Sequence, residues 1–213
     1  MITSDAVERY LHETRSAHDP LLAEMEAHGD RDGIPIVVPE TGALLAVLAA
    51  ACGARRVAEV GTAIGVSTLY IARQLPAGGR IVSFEVDQAR HDHARSYLER
   101  AGVADRCDLR LQSATEGLRA LEPGAFDMVF LDGLKDDYPA HVEMGLELLR
   151  AGGLLVADNT LMGGAVAEGA SDGYWKQEQI ESMRSFNARL LGDSGLTAAL
   201  LPVGDGVTVA VKR

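Results

Sequence analysis

The sequence predicts one α/β domain built on a mostly parallel sheet, and three observations carry that prediction. Short apolar runs alternate with helical patterns from Arg56 to Ala157, as in strands joined by right-handed helical crossovers. The last two strand-like runs are separated only by Pro202-Val203-Gly204-Asp205-Gly206. That gap is too short for a crossover, so they pair antiparallel. The 213 residues contain no repeat, low-complexity tract or interdomain linker, and such a length suits a single domain.

In chain order, residues 3–28 read as two helices, with Val7, Tyr10 and Leu11, then Leu21, Leu22 and Met25, at helical spacing. Asp19-Pro20 marks the second start, since proline is favoured at the first helical position. Residues 29–39, GDRDGIPIVVP, read as a connector because they hold two glycines and two prolines. Residues 41–52 form a helix that is apolar all round, which calls for burial inside the domain or under a partner subunit. Strands are expected at 56–60, 80–84, 107–111, 127–131 and 154–157. Helices are expected between them at 65–74, 87–101, 114–121 and 140–150. Strands at 197–201 and 207–212 complete a Rossmann-like, doubly wound sheet of seven strands with a C-terminal antiparallel hairpin. The single domain spans 1–213, and 1–40 form an N-terminal helical extension.

With 47% hydrophobic and 24% charged residues, the composition is that of a globular protein. A net charge of −11 and a pI of about 4.9 argue against broad binding to nucleic acid or an anionic membrane. The start, MITSDAVERYLHETRSAHD, has no apolar signal core. No apolar stretch approaches the roughly 20 residues that span a bilayer, so a cytoplasmic protein is expected. Cys52 and Cys107 lack any CxxC or metal-ligand spacing. They read as inert thiols in a reducing compartment.

Ligands of an open parallel sheet bind beyond the carboxyl ends of its strands, and two features stand there. The first is Gly61-Thr62-Ala63-Ile64-Gly65, between strand 56–60 and a helix that begins near Val66-Ser67. Such a turn lets a ligand approach the backbone and offers free helix N–H groups. It lacks a third glycine and says little alone. Glu85 gives it meaning: an acid at the end of the next strand, 24 residues after Gly61, accepts hydrogen bonds from ribose hydroxyls. The pair points to a nucleoside-containing cofactor, with NAD and S-adenosylmethionine both open; a tight turn plus a helix-capping acid is the plainer alternative. Gln112-Ser113-Ala114-Thr115, after the third strand, either lies against an adenine or caps a helix through Ser113.

The second feature is acidic. FDMVFL leads into Asp132, and GLLVA leads into Asp158-Asn159. Two strand ends thus deliver two carboxylates and a carboxamide to one rim, with Lys135 close by. Oxygen ligands of this kind suit a hard cation such as Mg²⁺, Mn²⁺ or Ca²⁺. Each aspartate alone would pass for a helix cap; together, beside Asn159 and Lys135, they indicate a site.

EVGTAIGVSTLYIA, IVSFEVD, FDMVFLDGLKDDY and LLVADNTLMGGAV, in that order, resemble the cation-dependent class I O-methyltransferases, which include the catechol and caffeoyl-CoA O-methyltransferases. The resemblance runs from about residue 35 to the end and joins a cofactor motif to a metal motif. It implies that Asp132, Asp158 and Asn159 bind the metal and that Lys135 is the base. It implies that Glu85 holds the ribose of S-adenosylmethionine, and that Val37, Glu59, Gly61, Thr62 and Ser67 surround its methionine part, with Ala114 and Asp132 also lining the cofactor site. The catechol enzymes carry a substrate-orienting carboxylate before the final Asp-Gly; this chain has Ala198-Ala199-Leu200-Leu201 there. Gly133-Leu134 also stand where bulkier residues wall the catechol site.

The expected substrate is a small phenol with two adjacent oxygens, methylated with loose regioselectivity, and a homodimer is expected. Two rival readings are methylation of a hydroxylated uridine in tRNA and a non-catalytic nucleoside-binding module. His91 and His93, two apart on a helix, read as solvated. Tyr174-Trp175 either form a flap over the substrate or dock their loop, and Phe186-Asn187 read as helix packing.

Overall fold

The computed structural model describes residues 5–14, 19–171 and 173–213. Seven strands form one sheet: β1 Arg56–Val60, β2 Arg80–Glu85, β3 Cys107–Leu111, β4 Phe126–Leu131, β5 Leu149–Ala157, β6 Leu196–Leu201 and β7 Val207–Lys212. Their order is β3-β2-β1-β4-β5-β7-β6. The first five run parallel, and β7 lies antiparallel between β5 and β6. Every expected strand is present, and so is the hairpin.

Nine helices are found among the described residues: α1 Asp5–Thr14, α2 Pro20–Asp32, α3 Pro39–Ala51, α4 Val66–Ala72, α5 Gln88–Arg100, α6 Ala114–Arg119, α7 Tyr138–Leu148, α8 Ala165–Glu168 and α9 Gln177–Gly192. The expected start of the first helix, at residues 3 and 4, lies outside the described residues. The helices bury the sheet on both faces. Met128 and Phe130 of β4 join Met25, Leu45, Ile71 and Leu98 on one side. Val129 and Leu131 join Leu118, Val142, Phe186 and Leu190 on the other. This is why β4 reads as a continuous apolar run; each such side chain contributes about 1.5–3 kcal/mol of burial.

Asp19 caps α2 as expected, accepting hydrogen bonds from the backbone N–H groups of Leu21 and Leu22. The connector begins later than its composition implies, because α2 runs through Gly29 to Asp32 and stops at Gly33, where φ is 63°. Ile36 packs where a Gly29 side chain would stand, so tertiary contact overrides glycine's poor helix propensity. An ion pair between Arg100 and Glu24 and a 2.9 Å contact of His28 Nδ1 with Tyr97 Oη fix α2 to α5. His91 corrects another expectation: it is buried under α5, with Nε2 3.4 Å from the Leu109 carbonyl. His93 is exposed, its ring 4.6 Å from that of His28.

The apolar helix α3 divides. Thr41, Gly42, Leu45 and Ala49 are buried, while Val47 on the other side is 63% exposed. Val7, Tyr10 and Leu11 of α1 are exposed as well. Among the described residues no helix is long and apolar enough to cross a membrane.

Candidate active site

The sheet order reverses between β1 and β4, and the turns that follow these two strands meet there. This is the switch point at which open sheets bind ligands. Gly61 has φ 91°, and a Cβ on it would run into the Asp132 carbonyl. Only glycine allows both the conformation and the approach. The Gly61 and Thr62 N–H groups donate to the Phe84 carbonyl at 3.2 Å each, and Gly65 N–H donates to the Thr62 carbonyl at 2.8 Å.

Glu85 straps this turn in place. Its Oε2 accepts from Ala63 N at 2.8 Å, and its Oε1 accepts from Val86 N and Asp87 N at 2.8 and 2.9 Å. An ionised carboxylate has about four acceptor positions, so one direction stays open for a ligand hydroxyl. Ala63 is held at φ 46°, a conformation that is costly for a residue with a Cβ.

Glu59 lies beneath the turn, fully buried. Its Oε2 accepts from Thr68 Oγ1 and Ser83 Oγ, both at 2.5 Å, and Ser83 Oγ is 2.6 Å from Thr62 Oγ1. Its Oε1 has no partner. Burial pushes the Glu59 carboxyl up to about 7, opposed by the hydroxyls of Ser83, Thr68 and Ser67. Val37 is buried in the same cluster as Ile64 and Val66. Ala114, the first residue of α6, packs partly buried against the opposite cluster. Thr115 Oγ1 lies 2.9 Å from His141 Nε2, while the buried Nδ1 of His141 has no partner.

The acidic rim is built by the same ladder logic. Asp132 N–H donates to Val60 O at 2.9 Å, and Asp158 N–H donates to Leu131 O at 3.0 Å, so each aspartate continues its strand by one step. Asn159 follows at φ 57°, a region that asparagine tolerates better than most residues. Lys135 Nζ donates to Asn159 Oδ1 at 2.6 Å, Tyr138 Oη at 2.8 Å and Gly133 O at 3.2 Å, and lies 3.5 Å from Asp132 Oδ1. Tyr138 Oη donates in turn to the Asp158 carbonyl at 2.8 Å. Asp158 Oδ1 is buried without a partner. Burial raises Asp132, against the pull of Lys135, and raises Asp158 to about 7 with help from the Asp132 charge. Burial lowers Lys135, opposed by Asp132 and Asp158. Among the described residues no three or more His, Cys, Asp or Glu side chains cluster to hold a metal; the oxygen set here is two aspartates and an asparagine.

Sequence reasoning missed three supporting groups. Asp205 precedes β7, and its charge acts on Asp132, Asp158 and Lys135. The antiparallel pairing of Ala157 with Thr208 puts the residues before Val207 beyond the carboxyl end of β5, so the hairpin itself signals that Asp205 reaches the rim. Asn187 of α9 donates from Nδ2 to Thr160 O at 2.7 Å, and Thr208 Oγ1 lies 3.1 Å from both Asn187 Oδ1 and Thr160 Oγ1. A polar residue on the apolar face of α9 was the available signal. Tyr138 is the third, anchoring Lys135. Trp175 packs against the core while Tyr174 is 81% exposed, their rings 4.9 Å apart.

A glycine turn strapped by an acid faces a rim of carboxylates and lysine across one switch point, the layout of an α/β enzyme that binds its ligands beyond the carboxyl ends of the strands. The chain belongs to the O-methyltransferase family, whose model matches residues 12–213. It is similar to a catechol O-methyltransferase of Mycobacterium tuberculosis, with 37% identity over 97% of this chain and 95% of that protein. It is also similar to a catechol O-methyltransferase of Niastella koreensis, with 32% identity over 98% and 97%. An O-methyltransferase from Bacillus cereus, solved in complex with SAH, superposes with a TM-score of 0.86 at 31% identity over the full length of both chains. TomG from Streptomyces achromogenes, solved with SAM, gives 0.85 at 32% identity over 98% of this chain and 96% of that one.

Proposed function

We propose that this O-methyltransferase uses S-adenosylmethionine and a divalent cation to methylate one of two adjacent oxygens on a small, catechol-like phenol. The observation that carries the metal reading is Asp158 Oδ1, a buried carboxylate oxygen without a partner beside Asp132 and Asn159. A buried, unpaired acceptor is costly, and a hard cation held by Asp132, Asp158 and Asn159 satisfies it. Two relatives are catechol O-methyltransferases by name, and two solved neighbours carry SAH or SAM.

The residues then divide the work. Glu85 would accept one ribose hydroxyl at its remaining acceptor position, and Glu59 would offer its unpartnered Oε1 to the ammonium of the cofactor's methionine. Gly61 lets its turn pack directly against the Asp132 carbonyl, and Val37, Thr62, Ser67 and Ala114 would lie around the bound cofactor. A phenol with a pKa near 10, as in tyrosine, is mostly protonated at neutral pH. Lys135, made less basic by burial, would first give up its own ammonium proton and, as the neutral amine, would receive the phenol proton as the oxygen attacks the methyl carbon. Bound S-adenosylmethionine would supply an activated methyl group, the carbon–sulfur electron pair staying on sulfur to give S-adenosylhomocysteine. A bound cation supplies Lewis-acid stabilisation of the oxyanion and fixes two substrate oxygens. Alignment of nucleophile and methyl is the enzyme's main contribution.

The test compares a catechol with its monohydroxy analogue, with and without EDTA. Methyl transfer to the diol only, abolished by EDTA and restored by Mg²⁺, is the expected result. Equal rates for both phenols, or full activity in excess EDTA, would overturn the chelation reading. The open apolar faces of α1 and α3 further support a homodimer; light scattering at the 22.6 kDa monomer mass would refute it.

A further inference from the structure

We propose that the Lys135 ammonium is the resident counter-ion of the acidic rim, occupying it in the cation-free enzyme and giving up Asn159 when a divalent cation binds. The inference rests on the metal reading above and adds a competition within this chain to it.

Lys135 is not a surface lysine. Its side chain is 8% exposed. An ammonium has three donors and no acceptor, and all three are in use, on Asn159 Oδ1 at 2.6 Å, Tyr138 Oη at 2.8 Å and Gly133 O at 3.2 Å. Two of the three oxygen-bearing side chains assigned to the cation, Asn159 and Asp132, are therefore the ones this ammonium already contacts, at 2.6 and 3.5 Å. The third, Asp158, keeps an oxygen with no partner. Asp205 adds a further negative charge facing the same lysine. One positive charge thus serves two aspartates, Asp158 buried and Asp132 half-buried.

An ammonium and a dication cannot share the Asn159 oxygen at such distances. Like charges a few ångströms apart in a partly desolvated site repel strongly, and buried charge without compensation is strongly destabilising. Loading therefore requires Nζ to withdraw. The structure also provides where it withdraws to, because the Tyr138 hydroxyl and the Gly133 carbonyl remain as partners when Asn159 is released. Nζ also lies 4.4 Å from the centre of the Tyr138 ring, a stacking that favours a cation. The same withdrawal moves the nitrogen off the ligand set and leaves it beside the substrate oxygens.

The experiment measures thermal unfolding and Mn²⁺ affinity, by electron paramagnetic resonance, for the full-length wild type, Lys135→Met and Lys135→Gln. Each variant is expected to lose several degrees of melting temperature in EDTA and to recover most of that loss in saturating Mn²⁺. Mn²⁺ affinity is expected to rise about tenfold or more, the scale of removing one close repulsive charge. Unfolding of the variants on chelation, with stability in Mn²⁺, is the same result in stronger form. An equal loss in both conditions, failure of both variants to fold even with Mn²⁺, or an unchanged or weaker Mn²⁺ affinity would overturn the inference alone. Absence of Mn²⁺ binding by the wild type would overturn the metal reading itself.

Discussion

Replacing Glu59 with glutamine is expected to stabilise the cofactor-free enzyme above neutral pH and to weaken its hold on the cofactor. Glu59 is fully buried, and burial moves its carboxyl from 4.5 to about 7. A raised native value means that the folded protein holds this proton more tightly than the unfolded chain does. The stabilisation from the protonated form is complete below about 4.5 and is lost as pH rises to about 7. At 1.36 kcal/mol for each tenfold change, that window is worth roughly 3 kcal/mol. The glutamine side chain has no proton to lose, so the variant's stability advantage over wild type grows by about that amount between roughly pH 4.5 and 8.5. Its amide carbonyl still accepts from Thr68 and Ser83, which keeps the local network. Urea unfolding of both proteins across this range is the assay. Parallel stability curves would refute the argument. The same variant offers no charge to a ligand ammonium, so affinity for S-adenosylhomocysteine should fall about tenfold to a hundredfold, the usual effect of losing a charge-assisted hydrogen bond. A group kept at the expense of stability is characteristic of a functional site.

Three further outcomes are expected. Gly61→Ala combines a φ of 91° with a collision against the Asp132 carbonyl, and should cost about 3 kcal/mol or more by strain and displacement; a melting temperature unchanged from wild type would show that the turn has slack. Glu85→Ala should weaken cofactor binding by about 1–3 kcal/mol and also lower stability, because Glu85 accepts from three backbone N–H groups; calorimetry showing wild-type affinity would remove it from the site. Asp132→Ala should abolish methyl transfer while preserving the far-ultraviolet circular dichroism; retained turnover with Mg²⁺ would contradict its assignment as a ligand.

Much of the fold was legible because its central strands are buried on both faces. β1 and β7 have the bounds their apolar runs imply, β3, an edge strand without a buried residue, also has its expected bounds, and the short Pro202-to-Gly206 gap imposed the hairpin. Helix ends were less legible. Gly29 looked like a breaker but packs against Ile36, which no local pattern encodes. His91 looked solvated, yet its turn of α5 faces the sheet. At the site, Asp132, Asp158, Asn159 and Lys135 were readable because each sits at or just after the end of a strand. Asp205, Asn187 and Tyr138 were not, since their roles depend on an antiparallel neighbour, on a distant helix and on a hydrogen bond to a carbonyl. The sequence also could not show that Glu85 spends most of its capacity on the backbone, or that Glu59 keeps one oxygen free.

The placement of β7 has a consequence for biosynthesis. It follows β6 in sequence, yet it lies inside the sheet, between β5 and β6. Until residues 205–212 leave the ribosome, β5 presents an unpaired apolar edge, and the segment that follows Asp158 lacks its brace. Thr160 N–H bonds to Gly206 O at 2.8 Å and Leu161 N–H to Asp205 O at 2.9 Å, contacts that close only then. The nascent chain thus has to protect an open edge, prone to pairing with other chains, while five parallel strands wait for their neighbour. Completion of the sheet and bracing of the segment that follows Asp158 thus come together, whereas the ladder bonds that place Asp132 and Asp158 need only β1, β4 and β5.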